Sequence, residues 1–308
     1  MKFTVAIPVY KSQFLRECID SVLGQTIEDY EVVILNDASP ENIDAIVETF
    51  TESRIRYFKN EVNVGAVDLV RNWNKCLEYA QGDYFICIGD DDRLMPDCLE
   101  MYSKMIERHP DVDLFHARTL QIDENGEYVG ITPEYPEAEN VFSFMLHRFN
   151  NGSQYVGDFC YRTSHLRVLG GFHYQPLAWG SDHITALKAM AGHGVVNLPN
   201  PTFCYRVNRL SISSTGQTAI KLLATNQEEH WYEVFIEQTP PADLFEKLCK
   251  EDAIRRYRQF FRKLKALQLH YDLMQNRWRI IHWWRKRNTY ALSLSTLAAA
   301  IYYACRKS

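Results

Sequence analysis

The sequence predicts an α/β protein: a mostly parallel sheet with helices on both faces, continued by a helical C-terminal extension. Three observations carry that expectation. Apolar, β-branched runs alternate with amphipathic 3.6-residue patterns at least three times within the first 108 residues, the signature of βαβ crossovers. Glu124-Asn125-Gly126 lies between two further strand-like runs and marks a hairpin, so an antiparallel excursion follows the parallel part. From about residue 217 the pattern is helical to the end.

The elements follow in order. Residues 3–9 (FTVAIPV) are almost continuously apolar, as a strand covered on both faces must be, and Pro8 marks their end. Residues 13–24 set Phe14, Leu15, Cys18, Ile19, Val22 and Leu23 on one helical stripe. Residues 30–35 (YEVVIL) are a second strand, ending at Asn36-Asp37. Residues 42–50 read as a helix and 55–58 as a short strand. Ala66, Val70, Trp73, Leu77 and Ala80 recur at helical spacing. Residues 84–88 (YFICI) are a further strand, closed by Gly89 and three aspartates, and 99–108 continue as a helix. Residues 113–122 and 128–131 flank the hairpin turn. Thr239-Pro240-Pro241 breaks the later helical region. The pattern divides the chain into a domain over 1–215 and an extension over 216–308, with no internal repeat.

At 308 residues, 46% hydrophobic and 24% charged, the composition excludes a disordered chain, a collagen and a small disulfide scaffold. Eight cysteines without a CxxC pair argue against a zinc ribbon or thioredoxin-type site, and are expected as buried, reduced thiols. Met1-Lys2 lead straight into the first strand with no leader-like pattern. No apolar run reaches the roughly 18–20 residues of a spanning helix. A cytoplasmic protein, peripheral at the inner face of the membrane, is the expectation. Net charge is −5, but residues 254–308 hold thirteen Lys/Arg and one acid, Asp272. That tail also carries Trp278, Trp283, Trp284, Tyr290, Tyr302 and Tyr303, a composition suited to an anionic membrane surface or to packing on protein. No nucleic-acid motif accompanies the charge.

In open α/β sheets ligands bind beyond the carboxyl ends of the strands. Those ends here carry Pro8-Val9-Tyr10, Asn36-Asp37-Ala38-Ser39 and Gly89-Asp90-Asp91-Asp92. GxGxxG after the first strand, GxxxxGK[ST] and HExxH are all absent. Three adjacent carboxylates repel one another, and a hard divalent cation, Mg²⁺ or Mn²⁺, would compensate them. A solvated, helix-capping turn is the alternative.

The ordered set VAIPVYK (5–11), LNDASP (35–40), NVGAVDLVRN (63–72), GDYFICIGDDD (82–92) and WGSDH (179–183) resembles the family 2 glycosyltransferases of the GT-A fold, over roughly residues 3–215. The resemblance implies an inverting enzyme that takes a sugar from a nucleotide-diphosphate donor, typically a UDP-sugar, with the help of a divalent cation. It implies that Pro8 and Tyr10 line the base and ribose pocket and that Asp37 accepts a hydrogen bond from the base. Asn36 stands where the family usually has a further acid. The aspartates match the family's DxD. The literal spacing makes Asp90 and Asp92 the pair on ribose and metal. Alignment through Pro96 puts Gly89 in place of the first acid and makes Asp91 the metal ligand; Asp91 and Asp92 are thus the candidate metal ligands, with Asp90 and Asp91 on the donor. Of the family's late Glu-Asp pair, Ser181-Asp182 keeps the Asp. Asp182 is the candidate general base, or else a helix cap. Arg206 is a candidate diphosphate contact or a structural ion pair. Arg71 and Asn74 lie on the nucleotide-side helix, Arg71 as a candidate donor contact, with an ordinary exposed or capping role the alternative for either. Residues 150–161, Trp179 and His173 fall in the stretch that forms the acceptor pocket in that family; Trp179 and His173 are the candidate contacts for a saccharide or lipid-linked acceptor. A homo-oligomer is compatible with all of this.

Two other classes compete. A nucleotidylyltransferase would carry a Gly-rich basic loop where Val9-Tyr10-Lys11-Ser12 stands. A non-catalytic nucleotide-sugar-binding assembly protein would explain the missing acids at Gly89 and Ser181.

Overall fold

Strands that are apolar on both faces belong in the middle of a covered sheet, and the first four take that place. In the computed structural model, which describes residues 2–150, 152–208 and 216–305, β1 (Phe3–Val9), β2 (Tyr30–Asn36), β3 (Ile55–Lys59) and β4 (Tyr84–Cys87) lie parallel in the order β3-β2-β1-β4. The later strands are β5 (Arg93–Leu94), β6 (Leu114–Ile122), β7 (Tyr128–Ile131), β8 (Ala138–Glu139), β9 (Phe159–Arg162) and β10 (Val195–Arg206). They extend the sheet beyond β4 as β9-β6-β10-β5. β9 is antiparallel to both neighbours, β10 is parallel to β6, and β7 is the hairpin partner of β6.

The helices are α1 (Leu15–Leu23), α2 (Ile43–Val47), α3 (Leu69–Tyr79), α4 (Cys98–Arg108), α5 (Val141–Phe149), α6 (Thr163–Val168) and α7 (Ser181–Ala189). Strand residues alternate between two cores. Val5, Ile7, Val32 and Ile34 meet Leu15, Ile19, Ile43, Leu99 and Tyr102 of α1, α2 and α4 on one face. Ala6, Val33, Leu35 and Phe85 meet Trp73, Leu77, Phe142 and Leu187 of α3, α5 and α7 on the other. Seven of the cysteines are buried free thiols and Cys305 is exposed.

The extension consists of α8 (Thr218–Gln238), α9 (Leu244–Gln275), α10 (Arg279–Arg285) and α11 (Leu294–Cys305). α9 starts where Asp243 accepts the Glu246 N–H at 2.7 Å and Glu246 reaches back to the Ala242 N–H, just after the two prolines end α8. The extension does not stand apart from the sheet domain. Tyr232 and Ile236 of α8, with Ala253, Tyr257 and Phe261 of α9, enter the same core as Trp73 and Phe85. Its distal part has a small core of its own, in which Trp283 is buried and donates to Asp272 at 2.7 Å. The expected boundary at 215 falls within residues 209–215, outside the described residues, as do Asn151, Arg306 and Lys307. Among the described residues no helix is long and apolar enough to cross a membrane.

Candidate active site

Because β1 lies between β2 and β4, the three polar strand ends sit side by side. The Asp90 carboxylate accepts the backbone N–H of Tyr10 at 2.8 Å and of Lys11 at 2.7 Å, both on one oxygen. Ser39 donates to the Tyr10 carbonyl at 2.6 Å. Backbone from β1 is thus tied to the ends of β4 and β2. The Tyr10 ring itself is 44% exposed, open to a ligand.

Asp92 turns inward. It is 4% exposed, and its two oxygens accept the N–H groups of Gly89 at 3.1 Å and Arg206 at 3.0 Å. Asp91 is half-buried and accepts from the Asn208 amide through one oxygen; among the described residues no side chain or backbone N–H donates to the other. A Cβ at residue 89 would come within 2.9 Å of carboxylate oxygens of both Asp91 and Asp92, so a larger residue there would have to displace the carboxylates that fold back over this turn. Burial, then the neighbouring Asp91 charge, push Asp90 up to about 6 and raise Asp92 well above the carboxylate range. The described residues thus meet the three carboxylates with backbone N–H groups and one side-chain amide. No three His, Cys, Asp or Glu side chains form a metal-holding group among the described residues. The donor set fits a hard cation that takes one or two carboxylates and completes its shell with ligand phosphate and water.

Several expected donor contacts are spent on protein. The Asp37 carboxylate, 5% exposed, accepts from the Asn60 amide at 2.8 Å, the Val64 N–H at 3.0 Å and the Asn63 amide at 3.1 Å. Asn60 also donates to Asn72 and accepts from Lys75, so Asp37 anchors a loop that α3 holds from behind. Asn36 donates to Tyr57 and accepts the Ser39 N–H, a pair of roles that a carboxylate cannot fill. Arg206 is a strut and not a free diphosphate contact. It is 1% exposed, donates to Glu17 and to the carbonyls of Asp91 and Asp123, and its guanidinium lies 4.1 Å over the Phe14 ring. Pro8 is partly buried in β1, and Arg71 is exposed on α3. Asn74 pins the Phe172 backbone through both its N–H and C=O.

Ala38, between Asp37 and Ser39, has φ +49°, a left-handed conformation that costs a residue with Cβ about 1–2 kcal/mol. Ala38→Gly is expected to raise stability by about 0.5–1 kcal/mol after its own entropy cost, read as an increased urea midpoint.

Asp182 stands in the first turn of α7, after Gly180 at φ +83°. Its carboxylate, 16% exposed, accepts the His183 N–H at 2.9 Å and lies 3.5 Å from the His183 ring. Its charge is felt at the buried Tyr161 hydroxyl, on the strand beside β4, where it adds to burial in raising that group. Behind Gly180 lies Glu228 of α8, fully buried and paired with Arg148 at 2.6 Å; nothing in the sequence pattern marks that pair. Trp179 is partly buried with the Lys221 ammonium 4.9 Å over its ring. His173 lines a groove of about 510 Å³ with Tyr174, Gln175, Gln227, His230 and Trp231.

A family model described as "Glycosyl transferase family 2" matches residues 4–168. The chain is 35% identical over 115 residues to the glycosyltransferase GlyA of Streptococcus pneumoniae serotype 4, covering 36% of this chain and 16% of that protein. Across four such curated relatives the aligned stretch is 16% to 39% of the relative's own length. Solved structures share the fold, among them the following two. One is S. aureus TarS 1–349 in complex with UDP-GlcNAc, at TM-score 0.62 and 16% identity, covering 99% of this chain and 90% of that one. The other is the mannosyltransferase PcManGT of Pyrobaculum calidifontis in complex with GDP-Man and Mn²⁺, at TM-score 0.58 and 17% identity, covering 98% and 86%.

Proposed function

The chain belongs to glycosyl transferase family 2, with a GT-A fold, and from that premise we propose that it transfers a sugar, with inversion, from a nucleoside-diphosphate donor to a saccharide or lipid-linked saccharide hydroxyl. The observation that carries this reading is the acidic crevice: Asp90, Asp91 and Asp92 at one strand end, tied through Tyr10 to the next. In this reading Tyr10 faces the base and ribose. Asp37 shapes the edge of that pocket by fixing the Asn60–Val64 loop, and does not point at the base. Asp91, with Asp90, would hold a Mg²⁺ or Mn²⁺ ion on the diphosphate, whose charge supplies stabilisation of the leaving group. Asp92 and Arg206 keep those two carboxylates in place.

The acceptor hydroxyl is a poor nucleophile at neutral pH. The Asp182 carboxylate takes its proton as the oxygen bonds to the anomeric carbon, and the glycosyl–phosphate electron pair leaves with the nucleoside diphosphate. The groove beside His173 and Trp231 has no Asp, Glu, Lys or Arg in its lining and offers aromatic faces and amides, which suits a neutral sugar of the acceptor.

A thermal-shift screen of UDP- and GDP-sugars with and without Mn²⁺ tests the reading, since a ligand at 100 times its Kd stabilises by about 2.7 kcal/mol. A metal-dependent rise with at least one nucleotide sugar is expected, followed by slow donor hydrolysis. No shift with any donor would sink it. Asp91→Ala is expected to remove the metal-dependent part of the shift, measured as donor affinity with and without Mn²⁺, while Asp92→Ala lowers the melting temperature as well.

A further inference from the structure

The C-terminal helices carry two features that the crevice does not use. On α9, Arg255, Arg258, Arg262 and Lys265 recur at spacings that place them on one helix face. They line a groove of about 620 Å³, completed by Glu229 of α8 and by Ser293, Ser295 and Thr296 at the start of α11. Lys265 is buried against Glu229 at 2.5 Å, and Arg258 meets Glu233 at 2.9 Å. Arg255 reaches Asp252 only at 3.5 Å. Arg262 is exposed with no carboxylate in ion-pair range among the described residues. The lining keeps an excess of positive charge that a phosphate group would neutralise, beside Ser293, whose hydroxyl is shared with those of Ser295 and Thr296 at 2.8 Å each.

The second feature is α11 itself, which holds no charged residue. One edge, Leu297, Ala300 and Ala304, is buried against Ala266, Leu269 and Leu273 of α9. The opposite edge, Leu294, Ala298, Ile301, Tyr302 and Cys305, is exposed, with Leu294 at 61% and Tyr302 at 52%. A helix without charged residues belongs in apolar surroundings, and this edge is open to solvent. Ser295 shares the exposed edge with Ala298 and Tyr302 and also lines the groove, so the apolar stripe runs straight into the cationic one. Trp278 and Trp284, both exposed, lie at α10 beside it.

We propose that this α9–α11 surface docks on an anionic membrane, with a lipid phosphate in the arginine groove and the Leu294–Ile301 stripe in the headgroup–acyl boundary. The juxtaposition of a phosphate-type groove and an apolar stripe matches an anionic phospholipid in both halves. A second copy of the chain would set two cationic grooves against each other, a like-charge contact. The surface lies outside the crevice and its test uses no sugar donor, so it stands or falls separately from the proposed transfer reaction.

The experiment is sedimentation of the full chain with vesicles of phosphatidylcholine, with and without phosphatidylglycerol. Binding is expected only with the anionic lipid. It should fall at least about tenfold in Arg255→Glu/Arg262→Glu and in Leu294→Asp/Ile301→Asp, whose side chains are exposed, with melting temperatures compared to confirm folding. Equal binding to both vesicles, or wild-type binding by both double variants, overturns the proposal. So does saturation by inorganic phosphate in calorimetry without vesicle binding, which would make the groove a free-phosphate site. A dimer in light scattering that Leu294→Asp/Ile301→Asp abolishes would assign the stripe to a second copy and overturn it too. Should a double variant not fold, the unaltered chain decides: binding that persists unchanged from low to about 0.5 M salt is incompatible with the arginine groove.

Discussion

Asp182→Asn is expected to lower sugar transfer by roughly 10²–10⁴-fold while leaving nucleotide-sugar affinity unchanged. The substitution separates the two roles open to this residue. In the structure the Asp182 carboxylate accepts the His183 N–H in the first turn of α7. An asparagine oxygen accepts that hydrogen bond almost as well, so a role limited to capping would survive the change. A proton-accepting role would not, because a neutral amide cannot take the acceptor's proton. The readouts are turnover with acceptor present and donor affinity by calorimetry. Full turnover in the Asn variant removes Asp182 from the chemistry. Loss of donor affinity together with turnover would instead place Asp182 on the donor.

The parts of this site legible in the sequence are those written in local pattern. Residues 3–9, 30–35 and 84–88 are continuous apolar runs, and each ends in polar residues that the parallel topology brings together. β9 and β10 were not legible. β9 is four residues long, and β10 contains Pro199 and Pro201, which read as a loop; the strand accommodates them through register shifts between Asn197 and Phe203. The roles within the aspartate trio were equally hidden. Which carboxylate faces inward depends on the backbone N–H groups of Gly89 and Arg206, the second more than a hundred residues away. Sequence shows that Arg206 is cationic but not that Glu17, Asp91, Asp123 and Phe14 enclose it. Residue type reports chemistry; whether that chemistry faces a ligand or the protein is a property of long-range packing.

Arg148→Met is the substitution with the largest expected effect on stability. Arg148 of α5 is 6% exposed, pairs with the fully buried Glu228 at 2.6 Å, donates to the Tyr232 hydroxyl at 2.7 Å and lies 5.0 Å over the Phe260 ring. Burial by itself would raise the Glu228 carboxyl, but the Arg148 charge, helped by His183, outweighs it and holds the group below its usual value. Removing the arginine leaves a carboxylate in the core without its counter-charge, a loss of about 3–5 kcal/mol at neutral pH, measured by urea unfolding. The pH dependence follows from the sign of each shift. In the unaltered chain Glu228 contributes stability above its unfolded pKa of about 4.3, and that contribution is lost as pH falls through the lower folded value. In the variant the folded value is raised, so the group destabilises the fold above about 4.3 and is tolerated when protonated below it. The difference between the two chains should therefore be greatest at pH 7 and shrink as pH falls. Arg148→Met/Glu228→Met, which removes both charges, should recover most of the loss. Equal damage in the single and double variants would mean that packing around Tyr232 and Phe260, and not the charge pair, holds α5 to α8. The same pair bears on Asp182, since a Cβ on Gly180 would lie 2.5 Å from the Glu228 carboxyl carbon, directly behind the turn that carries it. Arg148→Met should accordingly slow transfer beyond what the unfolded fraction explains, and the double variant should restore less of the activity than of the stability.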